Sequence, residues 1–348
     1  MKTRNSVFAA IMVTAGLFSF NAYSMETPGE NFVLDGLDAA QLRAQRDPAA
    51  RFPGASAIPF SPEGKGRDLT GDFNLIWSGA GLMPGEREIA ELRKCKVLLV
   101  RGFMTGGYVT STNFLGMRMG AYFQDQMKVL KAIGVDYEIS DIDSVMSPAH
   151  NAAKVAREIE ASDKPVIIIS HSDGGMYVIE ALMKNRGLLS KVRGFISLQT
   201  PFRGSPVADY VRENSILMGF MSKLLRHFGG TVDSLFSLGS EERNRFQDSN
   251  QAAIREIIAK VKIISFASWK AEEKHKMDTM LEIPRDFMLK SGIASDGLVP
   301  VESAILPGSD YVAIFGIDHI VSVMNNDSVL KCDRARLTRT LLLMILSK

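Results

Sequence analysis

The sequence predicts an α/β protein with a mostly parallel central sheet and helices on both faces. Three observations predict it. Short, near-continuously apolar segments recur between residues 96 and 315, as expected for strands covered on both sides. Segments with helical apolar spacing separate them, and such alternation implies parallel strands joined by helical crossovers. At residues 166–179, VIIISHSDGGMYVI, an apolar strand turns through one serine directly into a helical pattern.

Taken in order, the strands are predicted at 96–100, 135–140, 166–170, 194–198, 261–266 and 311–315, and the helices at roughly 114–132, 148–162, 174–186, 250–259 and 319–346. Ser147 and Pro148 suit the N-cap and first position of the second helix. Residues 203–248 are far longer than a crossover needs. Ile216, Leu217, Met218, Phe220, Met221, Leu224 and Leu225 give this stretch an apolar helical cluster. It reads either as an extra helical layer with its own small core or as a lid over a cleft. Its start at Thr200-Pro201, beyond the C-terminal end of a strand, favours the lid, because sites in open α/β sheets lie at that edge.

The front of the chain differs. Lys2 and Arg4, an apolar run at 7–20 and Ala22-Tyr23-Ser24 have the order of a secretory signal peptide, so residues 1–24 are expected to be removed and the protein exported to the periplasm or beyond. A run of 14 apolar residues is short for a membrane span. Residues 25–94 read as an N-terminal extension, broken by Pro48, Pro53, Pro59 and Pro62, and 95–348 as the folded domain. Removing residues 1–24 leaves 39 Lys/Arg against 39 Asp/Glu, which gives no electrostatic basis for a nucleic-acid partner. Cys95 and Cys332 either pair in an oxidising compartment or remain separate thiols.

The corner at 170–174, Ser-His-Ser-Asp-Gly, is the sequence form of a nucleophile elbow, with Ser170 where the first glycine is usual. The elbow projects the Ser172 hydroxyl above the sheet and sets the Asp173 N–H at a helix N-terminus. By itself the motif also fits an inert turn. A serine needs a general base, and the chain has five histidines. His171 adjoins Ser172 and must point away from its Oγ. His150 begins a helix, His227 lies in the insertion and His275 in a charged run. His319 follows the last strand, where a loop places an imidazole over the sheet edge. In the chain order nucleophile, acid, base, the carboxylate falls between 172 and 319. Asp296, in the tight turn Ser295-Asp296-Gly297, is preferred over Asp286 and Asp310. The oxyanion needs two donors. The N–H of Asp173 is one, and Phe103, in the glycine-rich loop after the first strand, offers the other.

Together these segments resemble the secreted bacterial triacylglycerol lipases of the α/β-hydrolase superfamily. The resemblance rests on RGF at 101–103, SHSDGG at 170–175, TPFRGSPVADY at 200–210, SDGLVP at 295–300 and Asp318-His319, and it spans roughly 95–345. It implies an α/β-hydrolase fold with a lid at 203–248, a Ser172–Asp296–His319 triad, and hydrolysis of medium- or long-chain esters at a lipid–water interface. No cofactor is implied. Besides Ser170, two positions depart from the pattern. Arg101 replaces the usual histidine of the oxyanion loop and is expected to meet an acidic head group or pair with a neighbouring acid. Val321 replaces the aspartate that serves a structural calcium in many members, so no calcium requirement is expected. The same triad also serves acyltransferases and thioesterases, and a non-catalytic lipid-binding protein can share the fold.

Overall fold

The structure, a computed structural model, describes residues 66–78, 84–102, 112–114, 117–143, 146–227, 232–270, 281–325 and 332–347. The expected signal peptide, most of the N-terminal extension and Phe103 lie outside these residues.

The central sheet has six strands: β1 (Lys96–Val100), β4 (Asp136–Ile139), β5 (Val166–His171), β6 (Val192–Leu198), β7 (Ile263–Trp269) and β8 (Asp310–Phe315). Their order across the sheet is β4-β1-β5-β6-β7-β8, and every pairing is parallel. Two further strands, β2 (Thr112–Phe114) and β3 (Met117–Met119), form a separate antiparallel hairpin.

Side chains that alternate along the strands feed two cores. One face sends Val97, Leu99, Ile167, Ile169, Ile196, Phe266 and Val312 into a cluster with Phe73, Leu130 and Leu341. These come from α1 (Thr70–Ser78), α3 (Gln124–Ile133) and α12 (Arg334–Leu346). The other face sends Leu98, Val100, Ile168, Phe195 and Ile263 toward Val155, Val178, Leu182 and Ile257. Their helices are α4 (Pro148–Ala161), α5 (Gly174–Lys184) and α10 (Gln251–Lys260). Ser147 caps α4 through His150 N and Pro148 opens it.

Three expectations shift. The helix expected from 114 begins only at Gln124, and the β2–β3 hairpin occupies its front. Phe123, which precedes α3, has a left-handed φ of 56°. The helix expected from 319 begins at Arg334, where Asp333 accepts Arg336 N at 2.9 Å. Residues read as extension belong to the core: α1 and α2 (Glu86–Arg93) bury Phe73, Trp77 and Leu92. Asp68 bridges to Tyr311 on β8, and Arg67 pairs with Asp310 at 2.7 Å. Arg336 lies over the Trp77 ring at 5.1 Å. Phe73 is fully buried and stacks on Trp77 at 5.6 Å. Phe73→Ala is therefore expected to destabilise the domain by about 3–5 kcal/mol in urea unfolding. A loss below about 1 kcal/mol would mean that α1 is dispensable packing.

The insertion forms α6 (Pro206–Glu213), α7 (Ser215–His227), α8 (Val232–Phe236) and α9 (Ser240–Ser249). Ala208 and Leu235 give it a small core of its own, with Val211, Met218 and Leu238 packed against it, while Ile216 and Phe236 stay exposed. It is stitched to the sheet edge by Ser205 Oγ, which donates to Leu298 O at 2.6 Å, and by Ser303 Oγ, which donates to Gly204 O at 2.6 Å. Cys95 and Cys332 are both free. Burial pushes the Cys332 thiol up to about 12.

Candidate active site

β5 ends in the corner read from the sequence. Ser172 has φ 55°, the left-handed conformation that non-glycine residues seldom adopt and that a strand-to-helix nucleophile turn requires. α5 starts two residues later. Its close approach depends on Gly174, where a Cβ would lie 2.5 Å from Arg101 O. Asp173 is the N-cap of α5, so its N–H sits at the helix end where the backbone supplies no acceptor of its own. The Asp173 carboxylate is buried and accepts the Tyr177 hydroxyl at 2.5 Å.

Beyond β8, the loop at 316–324 carries His319 back over the sheet edge. Its Nε2 lies 3.0 Å from Ser172 Oγ and its Nδ1 lies 2.8 Å from Asp296 Oδ2. Asp296 is 1 % exposed and His319 5 %, so the pair works in a water-poor setting, whereas Ser172 is half-buried and reachable. The other carboxylate oxygen of Asp296 accepts Leu298 N at 2.9 Å and Val299 N at 2.7 Å. These two amides fix the carboxylate plane, and His319 N donates to Asp296 O at 2.9 Å, which locks the two loops together. A serine, an imidazole and an oriented carboxylate in this geometry form the relay that turns an alcohol into a nucleophile.

The rival residues fall elsewhere. Asp310 opens β8 and is held by Arg67, and Asp286 lies on α11 (Glu282–Lys290) against Arg285. His150 is in the first turn of α4, His227 closes α7, and His275 lies outside the described residues. Arg101 is buried, and burial lowers its pKa from the usual 12.5 while Tyr122 and Asp141 oppose that shift. Burial favours its internal role over contact with a head group. Val321 is buried, and its N–H donates to Asp318 Oδ1 at 2.8 Å.

The loop after β1 touches Ser172 at Gly102. A Cβ there would stand 2.6 Å from Ser172 Cβ and 3.0 Å from both Asp173 Oδ1 and His171 O. Gly102→Ala is expected to reduce ester turnover more than about tenfold, because the clash displaces the reacting hydroxyl. Unchanged turnover would show that the loop is free to yield. The insertion also reaches the elbow. Arg243 on α9 is 3 % exposed, with its Nε and Nη2 lacking hydrogen-bond partners among the described residues. Burial lowers its pKa to about 10 against the opposing charges of Glu180, Glu242 and Asp173.

Sequence reasoning missed the scaffold behind His319. Gln199, at φ 53° beyond β6, donates to Asp318 O at 3.0 Å and Ser268 Oγ at 2.6 Å, and Ser268 Oγ donates to Ile317 O at 2.9 Å. His171 Nε2 sits 2.8 Å from His319 O. The available signal was strand alternation, which turns His171 to the face opposite its serine neighbours.

No protein-family model and no curated protein sequence matches the chain. Among solved structures, it is similar to a metagenomic carboxyl esterase at TM-score 0.63 and 19 % identity, covering 86 % of this chain and 98 % of the esterase. It is also similar to the mature form of a Bacillus licheniformis lipase, at TM-score 0.55 and 21 % identity over 73 % of this chain and 92 % of the lipase. The chain has the α/β-hydrolase fold. The three side chains that the structure brings together occur along the chain in the order Ser172, Asp296, His319, the order nucleophile, acid, base of that fold.

Proposed function

We propose that the protein is a serine carboxylic-ester hydrolase, a lipase or esterase acting on lipid-like esters through an acyl-enzyme. The observation that carries this reading is the unbroken hydrogen-bonded chain from Ser172 through His319 to Asp296. Ser172 Oγ attacks the ester carbonyl while His319 Nε2 takes its proton. The Nδ1 proton stays on His319 and is donated in a hydrogen bond to the Asp296 carboxylate, which stabilises the imidazolium. The N–H groups of Asp173 and Phe103 hold the oxyanion. His319 then protonates the departing alcohol, and water repeats the sequence to free the acid and regenerate Ser172.

Ile216 and Phe236, apolar and exposed on the insertion, support contact with a lipid surface and a lid role for 203–248. In this reading residues 1–24 are an export signal cleaved after Ser24. The test is a series of p-nitrophenyl esters of increasing acyl length, with a fluorophosphonate probe read by mass spectrometry. Turnover together with a single phosphonyl adduct on Ser172 is expected. No turnover and no adduct would end the reading.

A further inference from the structure

A second histidine lies at the heart of the site and takes no part in the proton relay. His171 is 3 % exposed, and its ring centroid lies 4.6 Å from that of His319. Its Nε2 faces the His319 carbonyl oxygen at 2.8 Å, and a carbonyl only accepts, so Nε2 carries the proton. Nδ1 is then the acceptor for the Tyr122 hydroxyl, with which it forms a short hydrogen bond. The Tyr122 oxygen in turn accepts the Gly102 N–H of the oxyanion loop. One directional chain therefore runs from Gly102 through Tyr122 and His171 to the main chain of His319.

Burial, and then the neighbouring His319, hold the His171 pKa well below the usual 6.5, while burial also drives that of Tyr122 up. Among the described residues Tyr122 and His319 are the titratable groups facing His171, with Gln199 beside it, and the charges of Asp173 and Arg101 act on Tyr122. Among the described residues none of these pairs a carboxylate with His171, which leaves a charged imidazole there without a counterion from them.

We propose that His171, together with Tyr122, is a positioning residue that sets the general base and the oxyanion loop in register with each other. It works only as the neutral Nε2-protonated ring, since a second proton on Nδ1 would reverse the bond and turn the Tyr122 hydroxyl from donor to acceptor. The proposal rests on the hydrolase reading and adds to it that the two halves of the catalytic apparatus are fastened through one imidazole. The Tyr122 ring packs edge-on against Phe123 at 4.9 Å, so removing its hydroxyl leaves that packing in place.

The experiment uses the full-length wild type with Tyr122→Phe, His171→Gln and His171→Phe. Tyr122→Phe is expected to lower kcat by about tenfold to a hundredfold while KM stays within about twofold, the pattern of a misplaced reacting group. His171→Gln, which keeps a donor for the His319 carbonyl, is expected to retain more kcat than His171→Phe. The double variant Tyr122→Phe/His171→Gln should lose no more than the worse single variant, because both break the same chain. Nitrogen-15 histidine NMR gives a readout independent of turnover. His171 is expected to remain a neutral Nε2–H tautomer at pH 6.5, where a free imidazole is half protonated, and Tyr122→Phe is expected to shift the His319 resonances. Wild-type kcat in both Tyr122→Phe and His171→Phe, or a His171 ring protonated on Nδ1 in the wild type, overturns the proposal. An inactive wild type with the expected NMR behaviour would instead count against the hydrolase reading alone.

Discussion

Ser172→Ala is expected to lower kcat about 10⁶-fold while leaving the fold intact. That magnitude is typical of removing a serine nucleophile, where only binding and oxyanion stabilisation persist. The hydroxyl makes its hydrogen bond to His319 Nε2 at 3.0 Å, and the rest of the site is braced independently of it. His319 keeps Asp296 at 2.8 Å, and its loop keeps Gln199 and His171. Alanine at φ 55° is strained much as serine is, so the thermal midpoint should move little. Initial rates on a p-nitrophenyl ester, with circular dichroism as the folding control, check this. Activity within about tenfold of wild type would refute Ser172 as nucleophile.

Asp296→Asn is expected to cost about 10⁴-fold in kcat with KM little altered. The asparagine oxygen can still accept the amides of Leu298 and Val299, which now hold Asp296 Oδ1. The amide nitrogen would then face His319 Nδ1, where the carboxylate accepts at 2.8 Å. A donor facing that nitrogen demands the other tautomer and leaves a proton on Nε2, pointed at the serine it should deprotonate. The backbone bond from His319 N to Asp296 O survives, so the loss is electronic rather than architectural. If the variant kept more than about a tenth of wild-type kcat, Asp296 would be a turn residue and the orienting acid would lie elsewhere.

Much of this was legible in the residues. Near-continuous apolar runs located five strands of the main sheet, because a parallel sheet sandwiched by helices tolerates few polar positions, whereas β4, also expected as buried, is an edge strand whose residues alternate between exposed and half-buried. The triad was legible because each member has a local reason to stand where it does: Ser172 in a one-residue corner, Asp296 in an Asp-Gly turn, His319 just past the last strand. What escaped has no local signature. Phe123 in a left-handed conformation before α3 is enforced by tertiary packing, since an aromatic side chain gives no hint of positive φ. Apolar residues around 114–119 suit a hairpin or a helix equally over so short a length. The start of α12 was readable at Asp333 as an N-cap, but the apolar residues after His319 masked it. The supporting contacts of Gln199, Ser268 and His171 join segments distant in the chain, so no window of sequence contains them.

The tie between Asp68 and β8 has a consequence for how the molecule is made. Residues 67–77 lie against Tyr311, Asp310 and Arg336, and Arg67 and Asp310 are 243 positions apart in the chain. A nascent chain cannot close the apolar face that α1 covers until β8 and α12 have been made. A product cut short before β8 would lack Val312 and Leu341, two members of the cluster that buries Phe73 and Trp77.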